Sequence, residues 1–234
     1  MHAYSATRVK ICGLMSEKDI RLCVDAGADS LGVVTEYPIA VPWNIDRAKA
    51  QQLVACAPPF ITTTAVVGGS VETILEIAAR VRPHFLQLHG DETLEEIGRI
   101  CSALHGTGIK VLKALRIDIG TGQAQFSVKD PVAASAVLAK SGIAALVVDS
   151  KTAGRPAGTG MPLDWNVIQE VSAAVDLPLI LAGGLTAGNV ADAIRRIRPY
   201  GVDVISGVEK KPGEKDEKRV REFVLTVKQI QRYS

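Results

Sequence analysis

Two side chains able to move a proton each close a short apolar run: Cys12 in "RVKICG" and Asp149 in "ALVVDS". A cysteine at the end of a strand is most often a small buried hydrophobe. Followed by Gly13, however, it has space for a substrate above its sulfur. Strand alternation puts Lys10 on the same face one layer below, where its charge favours the thiolate. Asp203 competes for Lys10 once the first and last strands lie side by side, and an ion pair is the expectation there. Asp149 ends an otherwise apolar strand, so its carboxyl is solvated at a pocket mouth, caps a loop, or is catalytic. Partly desolvated, it would hold a proton to higher pH. Loop capping and catalysis stand as equal readings.

The elements that position these two residues repeat eight times. A β-branched, apolar run gives way to a loop and then to a segment of helical period. Ser16, Ser70 and Asp130-Pro131 open helices as caps, and Gly27 closes one. Such alternation requires a parallel sheet with helical crossovers, and eight units close into a single (β/α)8 barrel over residues 1–234. An open doubly wound sheet would want G-x-G-x-x-G after its first strand, where "CGLMSEKD" offers one glycine. In the barrel, active sites sit at the C-terminal ends of the strands, so Cys12 and Asp149 share one rim. The longest βα loops follow strands two and six and read as lids or binding loops. Arg116 to Lys129 reads as a loop.

Late in the chain, "LAGGLTAGNV" and "VDVISGVE" each end a strand in small residues and then begin a helix. Gly183, Gly184, Ser206 and Gly207 allow close backbone approach, and helix N-termini attract anions. Loops after strands seven and eight build phosphate sites in many barrels, so a phosphate-binding end is expected here.

A net charge of +2 is too small to argue for nucleic acid or a membrane surface. No run is apolar enough to span a membrane, and "MHAYSATRVK" lacks a secretory h-region. The four cysteines form no C-x-x-C, which removes the main support for zinc. A cytoplasmic protein with free thiols and no metal is the expectation; barrels of this type occur as monomers and homodimers.

Taken together, "VKICGL", "DAGADSLG", "LQLHGDE", "VLKALR", "LVVDS", "GTGMPLDW", "LAGGLTAGNV" and "RPYGVDVISGVE" resemble the phosphoribosylanthranilate isomerase family of tryptophan biosynthesis. They occur in family order over nearly the whole chain. The resemblance implies a cofactor-free Amadori rearrangement of a phosphosugar, with Cys12 as general base and Asp149 as general acid. Each such proton transfer is worth roughly 10²–10⁴ in rate.

The chain departs from the family after strand two. There the family carries an arginine for the anthranilate carboxylate, whereas "EYPIAVPWNID" has Trp43 and no basic residue. Lys151 and Arg155 are the candidate replacements, since Arg47 falls where a helix has begun. Trp43 either stacks on an aromatic ring or is ordinary packing. Ala157 stands where the family tends to have glycine. His89 either lines the pocket or bonds a neighbouring loop, and Arg116 reaches ligand or solvent. Three functions follow: the anthranilate isomerase, the same chemistry on a different phosphoribosylated amine, and a non-catalytic phosphosugar-binding barrel. Binding alone needs neither Cys12 nor Asp149, which disfavours the third.

Overall fold

Hydrogen bonding between strands runs in a closed circle, because the first barrel strand pairs in parallel with both the second and the last. The computed structural model describes residues 6–151 and 164–230, without the side chain of Lys151. In chain order the first half comprises β1 (Arg8–Ile11), α1 (Glu17–Ala26), β2 (Ser30–Thr35), β3 (Asn44–Ile45), α2 (Arg47–Ala55), β4 (Thr62–Val67), α3 (Val71–Val81), β5 (Phe85–Leu88) and α4 (Leu94–Ala103). The second half comprises β6 (Lys110–Asp118), α5 (Pro131–Leu138), β7 (Ala145–Lys151), α6 (Trp165–Ala173), β8 (Leu179–Leu181), α7 (Val190–Ile197) and β9 (Gly201–Val204). A 3-10 turn (Ser206–Val208), a hairpin of β10 (Glu209–Lys211) and β11 (Glu214–Lys215), and α8 (Glu217–Ile230) complete it. The eight-stranded parallel barrel read from the alternation is the fold.

Alternation along each strand sorts the side chains. Val9, Ile11, Leu31, Val33, Leu86, Leu88, Leu146 and Val148 point outward and pack with the helices in the main core. The intervening inward set includes Leu112, Ala114, Ala145, Val147 and Ala182, a smaller cluster inside the barrel. Caps fall as their residue types require. Ser16, Asp46, Ser70 and Asp130 each accept a backbone N–H of the first helical turn, and Thr93 with Glu96 forms a full capping box.

Four details differ from the sequence reading. The loop after β2 contains β3, which pairs with β2 in parallel. β6 continues through Asp118, so Arg116 lies within a strand, because that extension keeps pairing with β7 as far as Lys151. α7 begins at Val190, since Thr186 to Asn189 form a side-chain-bonded turn first. Ser206-Gly207 opens only a 3-10 turn and hairpin, with the long helix following later. Among the described residues no helix is long and apolar enough to cross a membrane.

Candidate active site

One pocket at the C-terminal ends of the strands is lined by both Cys12 and Asp149. Cys12 follows β1 and extends its ladder by one bond, its N–H donating to the Val204 carbonyl at 2.9 Å. The β1–β2 register sets it level with Gly32. A Cβ on Gly32 would lie 2.6 Å from the Cys12 sulfur, so the missing side chain is what gives the thiol its place. Gly32 was not singled out from sequence, although its inward register opposite Cys12 is the signal that finds it.

Lys10 lies beneath Cys12, and its Nζ donates to Asp203 at 2.6 Å, with both side chains only 6% exposed. That is the ion pair expected from barrel closure. Burial pushes the Cys12 thiol above its ordinary value, and the neighbouring Lys10 ammonium works against that rise. Asp203 also lines the pocket, and its Oδ1 has no partner among the described residues.

Asp149 is buried at 6% exposure, at the level of Arg116 on β6. Burial, then the Asp203 charge, raise its pKa from 3.8 to about 7, against the Ser150 backbone N–H, Arg116 and Lys10. The carboxyl therefore makes a local backbone bond and also faces the pocket. His89 Nε2 stands 3.5 Å from Asp149 Oδ2. Burial and the charges of Arg116, Lys113 and Lys10 hold that imidazole neutral, its pKa down at about 3.

His89 thus lines the pocket, and its loop is rigidly held. The Tyr37 hydroxyl donates to the His89 carbonyl at 3.0 Å. Lys113 Nζ donates to the Gly90 carbonyl at 2.8 Å and to Glu92 at 2.6 Å. Gln87 and Tyr37 belong to the same wall and were also missed from sequence. Gln87 sits two residues before His89, which strand alternation makes an inward position.

Arg116 does not reach solvent: it is 2% exposed, bonded to Asp91, and level with Asp149 on the inward face of β6. Arg47 opens α2 as anticipated and is engaged by Glu36 and Glu76. The Lys151 side chain, Arg155 and Ala157 lie outside the described residues.

Trp43 is both buried and a wall of the pocket. Its Nε1 donates to Glu209 Oε1 at 2.8 Å, the oxygen that also accepts from Lys215 at 2.9 Å. The indole lies against Gly13, where a Cβ would come within 2.9 Å of Trp43 Cδ1.

Gly183, Gly184, Ser206 and Gly207 gather at one end of the same pocket. Gly183 and Gly184 have φ of +83° and +66°, a region that favours glycine. A Cβ on Gly183 would meet Ser150 Oγ at 2.4 Å and Asp149 Oδ1 at 2.9 Å. The Asn189 amide bonds the Gly184 carbonyl and the Thr186 N–H, which fixes the loop. The result is a cradle of backbone and one hydroxyl, suited to a phosphate.

The family model described as N-(5'phosphoribosyl)anthranilate (PRA) isomerase matches residues 9–226. The chain belongs to the phosphoribosylanthranilate isomerase family. It is 40% identical over 223 residues to the N-(5'-phosphoribosyl)anthranilate isomerase of Haloferax volcanii, covering 95% of this chain and 93% of that one. The crystal structure of phosphoribosyl anthranilate isomerase from Thermotoga maritima superposes with a TM-score of 0.80 at 31% identity, covering 95% and 99% of the two chains. A family structure in complex with reduced 1-(o-carboxyphenylamino)-1-deoxyribulose 5-phosphate has a TM-score of 0.76 at 29% identity, with the same coverage. Membership in the phosphoribosylanthranilate isomerase family makes this chain an isomerase of tryptophan biosynthesis.

Proposed function

We propose that the chain converts N-(5-phosphoribosyl)anthranilate to 1-(2-carboxyphenylamino)-1-deoxyribulose 5-phosphate, with Asp149 as general acid and Cys12 as general base. Asp149 gives its proton to the furanose ring oxygen, the bond from that oxygen to C1′ breaks, and a protonated Schiff base forms. Cys12 as thiolate takes the C2′ proton, and the resulting enolamine tautomerises to the ketone. The reaction is a net isomerisation, so no electrons are gained or lost and no external reactant is required.

The observation that carries this reading is that an acid and a thiol from opposite parts of the chain face one buried pocket ending in the glycine-rich cradle. A carboxyl whose pKa stands at about 7 holds and releases a proton near neutral pH. The phosphate, in the Gly183-Gly184 and Ser206-Gly207 cradle, fixes the far end of the sugar. Asp203 Oδ1, inside the pocket and unpartnered, accepts a hydrogen bond from a sugar hydroxyl. Neutral His89 lies beside the Asp149 carboxyl, its Nε2 3.5 Å from Oδ2.

All four cysteines are free thiols, in keeping with a place in the cytoplasm. The deciding experiment follows loss of anthranilate-adduct fluorescence with freshly prepared substrate, beside Cys12→Ala. Turnover that vanishes in the variant supports the reading. Folded protein that binds a phosphosugar without turning over the adduct returns the chain to the class of binding barrels.

A further inference from the structure

The hairpin after the last barrel strand carries its charges in two ways. Lys210, Lys211 and Glu214 are exposed, whereas Glu209 and Lys215, one on each of its strands, are 4% and 5% exposed. Lys215 Nζ donates to Glu209 Oε1 at 2.9 Å. Burying such a pair costs a desolvation that a surface pair avoids, and neither charge belongs to the groups assigned to the reaction. The pair is placed against the turn that follows Cys12.

Glu209 Oε1 also accepts the Trp43 indole N–H at 2.8 Å and the Gly213 N–H at 3.3 Å. Lys215 Nζ reaches the Ile205 carbonyl at 3.5 Å. Trp43 and Ile205 both close on Gly13, where a Cβ would lie 2.9 Å from Trp43 Cδ1 and 3.0 Å from Ile205 Cγ2. Gly13, at φ +70°, follows Cys12 directly, and Cys12 packs with Trp43 and Ile205 in one apolar cluster. Each half of the ion pair therefore grips one jaw of a clamp on the Cys12 turn.

The pair also adds charge near the sulfur. Lys10 and Asp203 lie below it on β1 and β9, Asp149 and His89 share its pocket, and Glu209 and Lys215 stand on the hairpin. Burial raises the thiol pKa most; Lys10 opposes that rise, Asp203 adds to it, and Lys215 opposes it. Two buried ammonium groups thus favour the thiolate, and each is tempered by its own carboxylate. Glu209 Oε2, buried and without a partner among the described residues, leaves that carboxylate only partly compensated.

We propose that Glu209 and Lys215 are positioning residues for the Cys12 base. Through Trp43 and Ile205 the pair fixes the Gly13 turn, and its ammonium draws the thiol toward thiolate while its carboxylate restrains that pull. This rests on the isomerase reading above for the task of Cys12. Glu209→Gln keeps an acceptor for the indole and removes one negative charge, so the thiolate becomes easier to form. Lys215→Met removes the ammonium and leaves the carboxylate, so it becomes harder. A clamp with no electrostatic part would loosen in both variants and move the thiol the same way.

The test labels purified protein with iodoacetamide across a pH series and reads the Cys12 peptide by mass spectrometry, which separates it from the other free thiols. At about pH 8 the Cys12 labelling rate is expected to rise about threefold in Glu209→Gln and to fall about threefold in Lys215→Met, with Lys215→Arg near wild type. In steady state the alkaline limb of kcat/KM moves down in pH for Glu209→Gln and up for Lys215→Met, while KM stays within about twofold. Labelling unchanged in both variants, or altered in the same direction, overturns the proposal. If Lys215→Met does not fold, Glu209→Gln decides, and labelling no faster than wild type overturns it. Opposite labelling shifts in folded protein that turns over no adduct support the hairpin's hold on the thiol and overturn the isomerase reading alone.

Discussion

Lys10 and Asp203 are register partners across the seam where β1 meets β9, and their side chains join at 2.6 Å directly below Cys12. The pair closes the barrel in the layer that supports the reacting groups. Its ammonium opposes the burial that raises the thiol pKa. One buried contact therefore bears on both stability and chemistry.

Removing only one partner strands a charge. Lys10→Met is expected to destabilise the protein by about 3–5 kcal/mol, whereas Lys10→Met with Asp203→Leu recovers much of that loss. Urea denaturation of the two variants checks this. A double variant no more stable than the single one would refute the assignment of the cost to the unpaired carboxylate.

Asp149 makes stability and activity oppose each other. Its pKa is raised from 3.8 to about 7, so its contribution to stability is complete below 3.8 and lost as pH rises through 7. Asp149→Asn removes that loss. Relative to wild type, the variant should gain on the order of 2–3 kcal/mol between pH 5 and pH 8 while losing turnover. Thermal melts at both pH values measure it, and parallel curves would contradict it.

The pH profile of kcat/KM follows from the same two groups. The working form holds one proton between them, on Asp149, with Cys12 as thiolate. Below about pH 7 both groups are protonated, so the rate rises through that value. At high pH both are deprotonated, and the raised thiol pKa sets the falling limb on the alkaline side of an ordinary cysteine. His89, neutral above about 3, contributes no limb in this range. A steady-state profile with its acidic limb near pH 5 would exclude Asp149 as the acid.

Gly32 and Gly207 should separate chemistry from binding. Gly32→Ala drives a methyl to within 2.6 Å of the Cys12 sulfur, so kcat is expected to fall at least tenfold with KM nearly unchanged. Gly207→Ala puts a methyl 1.9 Å from the Leu185 carbonyl oxygen, which deforms the cradle. There KM should rise at least tenfold, with a loss of stability of about 1–3 kcal/mol. Initial-rate kinetics on both variants, with melts as the fold control, distinguish the two outcomes.

Cys12→Ala and Cys12→Ser test the base directly. A hydroxyl fits the site but ionises far less readily than a thiol, so both variants should lose roughly 10²–10⁴ in kcat. Binding of a non-reacting phosphosugar should stay within about threefold. Near-normal turnover in Cys12→Ser would show that the thiolate is not the base.

Much of this was legible in the linear chain because it depends on local rules. Strand alternation and helix caps specify eight βα units, and parallel pairing of such units leaves the barrel as the arrangement without edges. Position at a strand's end was enough to put Cys12 and Asp149 on one rim, and the small residues Gly183-Gly184 and Ser206-Gly207 at the last two loops pointed to one end of the same pocket. The Lys10–Asp203 pair followed from closure alone.

Side chains that meet across distant segments had no such rule. The Trp43 N–H is held by Glu209, far along the chain, a contact that no local rule announces. Arg116 was expected past its strand, but pairing with β7 carried β6 further and Asp91 took the guanidinium. Gly32 gained its meaning from the sulfur on the adjacent strand. Sequence alone determined which residues face inward and at which end of the barrel. The tertiary structure decided which charges are already spoken for, because neutralisation depends on distances between groups that the chain order does not constrain.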